Sequence, residues 1–175
     1  VATGLWASYF VLSSIAFGLL YTGGPKPLGY IGLGDLLVLL YFGPVAVIGS
    51  YFVQTHAVHF APLAISLAPG LLSCAILVAN NLRDAETDRA AHKNTLVVRF
   101  GKSFGAWEYA TCVTCALLLP IGFGYFSSLL LLPFVIPLIH QAFSFQNAPD
   151  IAPLLPKTAK LLIAFTLLFC AESFL

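Results

Sequence analysis

Six stretches of this chain are apolar over lengths near that of a bilayer crossing, with polar and charged residues gathered between them. They run Val1–Leu20, Asp35–Gln54, Pro62–Asn81, Phe104–Phe123, Tyr125–Phe143 and Thr158–Leu175. A hydrocarbon core of about 30 Å takes about 20 residues of α-helix to cross. Each stretch is therefore read as a membrane-spanning helix. Strands of a β-barrel would alternate in polarity at every second residue, and runs such as LLPFVIPLI do not. Backbone polar groups in lipid must be paired within their own segment. The fold class expected is all-α, a multi-span transmembrane helical bundle.

Composition agrees. Apolar residues make up 59% of the 175 and charged residues 9%, with a mean hydropathy of +0.94. Soluble proteins hold about 45–50% and about 25%. A soluble globule of this size could not bury so much apolar surface. Disorder, a nucleic-acid-binding domain, a disulfide-knotted secreted module and an ordinary cytosolic enzyme are excluded. The chain starts at Val1 and contains no methionine, so a processed chain or a fragment is expected, and the fragment is preferred. The start lacks the basic n-region of a signal peptide.

The basic residues assign sides. Lys26 lies in the first loop; Arg83, Arg89, Lys93, Arg99 and Lys102 in the third; Lys157 and Lys160 at the fifth. The second and fourth connections carry none of the eight Lys and Arg. The positive-inside rule places the odd-numbered loops in the cytoplasm and both termini opposite.

Eight of the fifteen charged residues fall between Arg83 and Lys102. A loop that only sets topology is one reading of this cluster. Three features go further. Asp84 and Asp88 are four apart, so on a helix they share a face, where two like charges are unfavourable unless a cation bridges them. Such a pair suits Mg²⁺, which takes oxygen ligands and shares its shell with water and phosphate. Asn80 precedes Asp84 by one turn and Asn81 by three residues, extending the polar face toward the membrane. Arg89 and Lys93 follow, with Arg99 and Lys102 behind them, as natural partners for a polyanion such as diphosphate. Glu86 lies on another face of the helix and is not expected to be a ligand.

The segment NNLRDAETDRAAHKNTLVVRFG resembles the second aspartate-rich motif of the UbiA superfamily of intramembrane prenyltransferases. Within it, the likeness is to the 1,4-dihydroxy-2-naphthoate polyprenyltransferase branch of menaquinone biosynthesis. YTGGPKPLGYIGLGDLLVLLYFGPVAVIGSYFVQT and LLPKTAKL resemble two further parts of that branch. The resemblance implies nine transmembrane helices and two aspartate-rich loops over a central cavity. Only the second motif is here, so the six spans would be helices four to nine of a single prenyltransferase domain, 1–175, whose N-terminal part is missing. It implies transfer of a polyprenyl group from an allylic polyprenyl diphosphate to an aromatic acceptor in the bilayer, with Mg²⁺ as cofactor. Asp84 and Asp88 would be the catalytic metal ligands. Asn80, Asn81, Arg83, Arg89 and Lys93 would bind substrate, with Arg83, Arg89 and Lys93 stabilising charge on the departing diphosphate. Another acceptor (4-hydroxybenzoate or homogentisate), or a cation-binding transporter, are the competing functions. A bacterial inner membrane is the expected location, with the site facing the cytoplasm.

Other features are read as follows. The first loop has five glycines and two prolines between Tyr21 and Gly34, and is either a cap over the cavity or a rigid connector. Asp35 is read as the N-cap of the second span rather than a metal ligand. Cys112 and Cys115 form a CxxC inside an apolar helix and are read as packing residues. His56 and His59 are read as interfacial, His92 as solvated, and Gly101 and Gly105 as a close-packing pair. Glu108 is either a cytoplasmic anchor or a cavity residue; Gln54, His140 and Gln141 stay open in the same way.

Overall fold

A computed structural model describes residues 2–174, with side chains for residues 5–174. Val1 and Leu175, the outer ends of the first and last predicted spans, lie outside the described residues. Among the described residues there is no strand. Six helices are long and apolar enough to cross a membrane, and the chain is an integral membrane protein. They are α1 (Ala2–Thr22), α2 (Gly34–Thr55), α3 (Phe60–Ala90), then, after the short α4 (Leu96–Phe100), α5 (Lys102–Phe123), α6 (Ser127–Ser144) and α7 (Ala148–Glu172).

Helix α3 is the central post. It packs most heavily on α5, then on α2 and α7. Its buried face is Ala68, Leu72, Ala75, Val78, Ala79 and Leu82. Lipid gives helices no hydrophobic reason to associate, so they pack through small residues that let backbones approach. Ala106, Ala110 and Ala116 of α5 meet that need and are buried. Gly105 lies in the tightest part, where an added Cβ would sit 2.7 Å from Leu82 and 2.8 Å from Val97.

The α2–α3 crossing is closer still. Pro44 lacks an N–H, and α2 opens into a wider π turn over Tyr41–Val45. At the same level α3 bends at buried Ser66, whose hydroxyl donates to the Leu63 carbonyl at 2.6 Å. Between these two irregular turns Gly43 meets Gly70, backbone against backbone. Helix α1 contributes no buried residue over its apolar stretch and leans on α2 through pairs such as Phe17–Tyr41, with ring centroids 4.6 Å apart.

The deepest polar contact ties α5 to α7. The Tyr109 hydroxyl lies 2.8 Å from Thr158 Oγ1, and Thr158 also donates to the Leu154 carbonyl at 2.8 Å. Both side chains are fully buried. Tyr109→Phe is expected to lower stability by about 1 kcal/mol, measured as the unfolding midpoint in detergent, with topology unchanged.

The packing sets the first and third loops together and the C-terminal end of α7 beside the fourth connection. In the first loop the Tyr30 carbonyl accepts from Asn94 N of the third loop at 2.9 Å. Near the C-terminus, Glu172 accepts from the Phe126 and Ser127 amides of the fourth connection at 2.7 and 2.9 Å. Two boundaries differ from the sequence reading. Helix α3 runs nine residues past Asn81 to Ala90, because Leu82 and Ala85 still find a core to enter. Helix α7 starts at Ala148 rather than Thr158, since Pro149 falls in its first turn, where proline is tolerated. There Asp150 accepts from the Gln146 and Asn147 amides at 3.2 and 3.0 Å.

Candidate active site

The last turns of α3 carry the cluster. Asn80, Asp84 and Asp88 follow at four-residue steps and so form one stripe. The alternate positions Ala79, Leu82 and Ala85 are buried; along the stripe Asn80 and Asp84 are half-buried and Asp88 is buried. The helix stops at Ala90, and His92 turns the chain in the left-handed region, with φ +55°. The turn brings Lys93 back, its amide donating to the Asp88 carbonyl at 2.8 Å.

Each carboxylate is held by a base. Arg83 grips Asp84 with two bonds, Nε to Oδ1 and Nη2 to Oδ2, both 2.7 Å. Arg83 Nη2 also donates to Asn80 Oδ1 at 2.8 Å. Lys93 Nζ donates to Asp88 Oδ2 at 3.0 Å. The donor set on this stripe is all oxygen, two carboxylates and an amide, which fits a hard dication such as Mg²⁺. The bases now on those oxygens are long side chains. Arg83 keeps 36% of its side-chain surface open and Lys93 21%.

Other predicted residues stand elsewhere. Arg89 is exposed and reaches the Val98 carbonyl of α4 at 3.5 Å, not the carboxylates. Glu86 is exposed, with Lys102 3.6 Å away. Lys102 also lies over the Phe145 ring, 5.4 Å from its centre. Asn81 is turned inward from the stripe. It is 2% exposed, and its Nδ2 donates to Asp35 Oδ1 at 3.3 Å.

Asp35 corrects the N-cap reading. Leu33 occupies the cap position and Asp35 lies in the first turn of α2, buried. An acid just inside an apolar span was the available signal. Tyr21 was not singled out from the sequence: its hydroxyl approaches Gly34, where an added Cβ would lie 3.1 Å from it. Beside it a crevice of about 450 Å³ opens between α1 and α2, lined by Phe17, Tyr21, Leu37, Val38, Tyr41 and Phe42 among others. Of the CxxC, Cys112 is buried and Cys115 exposed, and neither is in a disulfide.

The first loop is fastened to the third beside the carboxylates. Arg99 Nη2 donates to the Ile31 carbonyl at 2.8 Å and its Nε to the Asn94 carbonyl at 3.1 Å. Gly32, at φ +79°, lies under this contact, where a Cβ would be 3.0 Å from the Asn94 carbonyl oxygen. Arg99→Ala should free the loop. Hydrogen exchange at the Asn94 amide, which bonds Tyr30, is expected to rise about fivefold, the loss of about one hydrogen bond. Chymotrypsin should cut after Tyr30 correspondingly faster.

Comparison with known proteins gives a consistent picture. The UbiA prenyltransferase family matches residues 1–170. A Mycobacterium tuberculosis protein named 1,4-dihydroxy-2-naphthoate octaprenyltransferase is 55% identical over 87 residues, 50% of this chain and 30% of that protein. The Escherichia coli protein of the same name is 37% identical over 171 residues, 93% of this chain and 55% of that protein. A Synechocystis protein named 2-carboxy-1,4-naphthoquinone phytyltransferase is 30% identical over 146 residues, 78% of this chain and 47% of that protein. The chain thus spans about half the length, or less, of the curated relatives it matches.

Proposed function

We propose that this chain, which belongs to the UbiA prenyltransferase family, transfers a polyprenyl group from an allylic polyprenyl diphosphate to 1,4-dihydroxy-2-naphthoate in menaquinone synthesis. The observation that carries this reading is the α3 stripe: two carboxylates one turn apart, each already bonded to a base, at the rim of an apolar bundle. Relatives named for the naphthoate reaction support the choice of acceptor. In this reading residues 1–175 are helices four to nine of a nine-helix domain. The remaining length of such a protein would supply the first aspartate-rich motif. The site would face the cytoplasm of a bacterial inner membrane, as the basic loops suggest.

The chemistry is heterolysis of a C–O bond beside lipid. Asp84 and Asp88 would hold Mg²⁺, which when bound neutralises charge growing on the leaving diphosphate. Arg83 and Lys93 would shift from the carboxylates to the phosphate oxygens and favour the same charge. Asn80 orients Arg83 and keeps it beside the stripe. The bundle excludes water from the allylic carbon, and the crevice between α1 and α2 suits the isoprenoid tail. The ring carbon then attacks, and the carboxylate leaves as carbon dioxide.

The test uses washed membranes from cells expressing the intact protein, one labelled prenyl diphosphate and each aromatic acid in turn. Dihydroxynaphthoate should give a labelled, decarboxylated product. Chelation should stop the reaction and Mg²⁺ restore it. Transfer to 4-hydroxybenzoate or homogentisate instead would keep the family and replace the acceptor. Absence of any transfer, with no Mg²⁺-dependent binding of prenyl diphosphate, would reject the reading.

A further inference from the structure

Beneath the α3 stripe lies a second polar group. Asp35 of α2, Cys74 of α3 and Glu108 of α5 each place one ligand atom within 4.8 Å of the other two. Asp35 and Cys74 are both 5% exposed. Three different helices therefore converge on one point inside the bundle. Two carboxyl groups so close in an apolar interior need something positive between them. The nearby base Lys93 is already bonded to Asp88.

A further observation points the same way. Asn81 is 2% exposed and bonds Asp35 through Nδ2. The Oδ1 of the same amide group is buried with no hydrogen-bond partner among the described residues, and so is Glu108 Oε2. Buried acceptors without donors are costly and rare. Both are lone-pair donors, and each lies on or next to the cluster.

We propose that Asp35, Cys74 and Glu108, with the Asn81 amide oxygen, form a second metal site, for a borderline transition-metal dication of the Zn²⁺ type. The donors decide the class. A thiolate with two carboxylates selects zinc-like ions over Mg²⁺, whereas the stripe above is all oxygen. The bound ion would tie α2, α3 and α5 together directly beneath the diphosphate site. This inference does not depend on the reaction proposed above.

The experiment is a Co²⁺ titration of the intact protein, purified metal-free in detergent and read by absorption. Wild type should show a near-ultraviolet thiolate-to-cobalt charge-transfer band that saturates at one equivalent and is displaced by Zn²⁺. Cys74→Ser should lose the band. Glu108→Gln and Asp35→Asn should weaken binding at least about tenfold. Asp84→Asn should keep the band, because the stripe offers no sulfur. Cys112 is the other buried thiol, so Cys112→Ser is the control and should also keep it. The wild-type titration needs no variant to fold. No thiolate band there overturns the proposal and leaves a shared proton or a buried water between the carboxyls. A band that survives in Cys74→Ser, or disappears in Cys112→Ser, overturns the donor set.

Discussion

Replacing Asp84 or Asp88 with asparagine in the intact protein is expected to lower prenyl transfer by about two to three orders of magnitude, at unchanged protein level in the membrane. Asparagine keeps the shape and removes one negative charge, which is what a dication needs. Each change also releases a base. Asp84→Asn frees Arg83 from a bidentate grip, and Asp88→Asn frees Lys93. Free bases still attract diphosphate, so KM for the prenyl substrate should move far less than kcat. Glu86, exposed and turned toward Lys102, serves as the comparison: Glu86→Gln should stay within about twofold, as surface charges do. Near-normal turnover in both Asp variants would remove the stripe from the reaction.

The second large effect is structural. A Cβ on Gly70 would lie 2.5 Å from the Leu39 carbonyl oxygen and 3.0 Å from Gly43 Cα. Both are backbone atoms, so neither can swing aside as a side chain would. Gly70→Val must therefore push α2 away from α3. Overpacking of this kind costs about 3 kcal/mol or more, and the expected result is a large drop in the unfolding temperature in detergent. The shift would also draw Asp35 from Asn81, so any surviving protein should transfer poorly. Gly18→Val is the control, since nothing lies within 4 Å of an added Cβ there. Equal stability of the two variants would mean that the close crossing is not present in the membrane.

Much of the architecture was legible because the bilayer imposes it. The length of an apolar run and the side of a lysine are set by the solvent, not by distant contacts, and six spans and two sides followed. The span was read to Asn81, where the apolar pattern ends, while the four-residue spacing of Asp84 and Asp88 already set the next turns on a helix; its end at Ala90 was hidden because polarity ends a hydropathy pattern without ending a helix. Leu82 finds its packing beside Gly105 of α5 and Val97 of α4. Asn80 and Asn81 show the same limit at the site. Adjacent and chemically identical, they looked like one feature. The fold sends Asn80 to Arg83, three residues away, and Asn81 to Asp35, 46 residues away. Local spacing predicts the first partner and cannot predict the second. Asp35 itself looked like a cap because an acid at the start of a helix usually is one, until Leu33 took that place.

The fastening of the first loop has an evolutionary corollary. Arg99 and Asn94 seize the main-chain oxygens of Ile31 and Tyr30, which every amino acid possesses. Substitutions at positions 30 and 31 can therefore accumulate without unhooking the loop. Gly32 has less latitude, because its positive φ strains any side chain and the oxygen of Asn94 crowds the place a Cβ would take. A library randomised across 30–32 and selected for activity should drift at the first two sites and return glycine at the third.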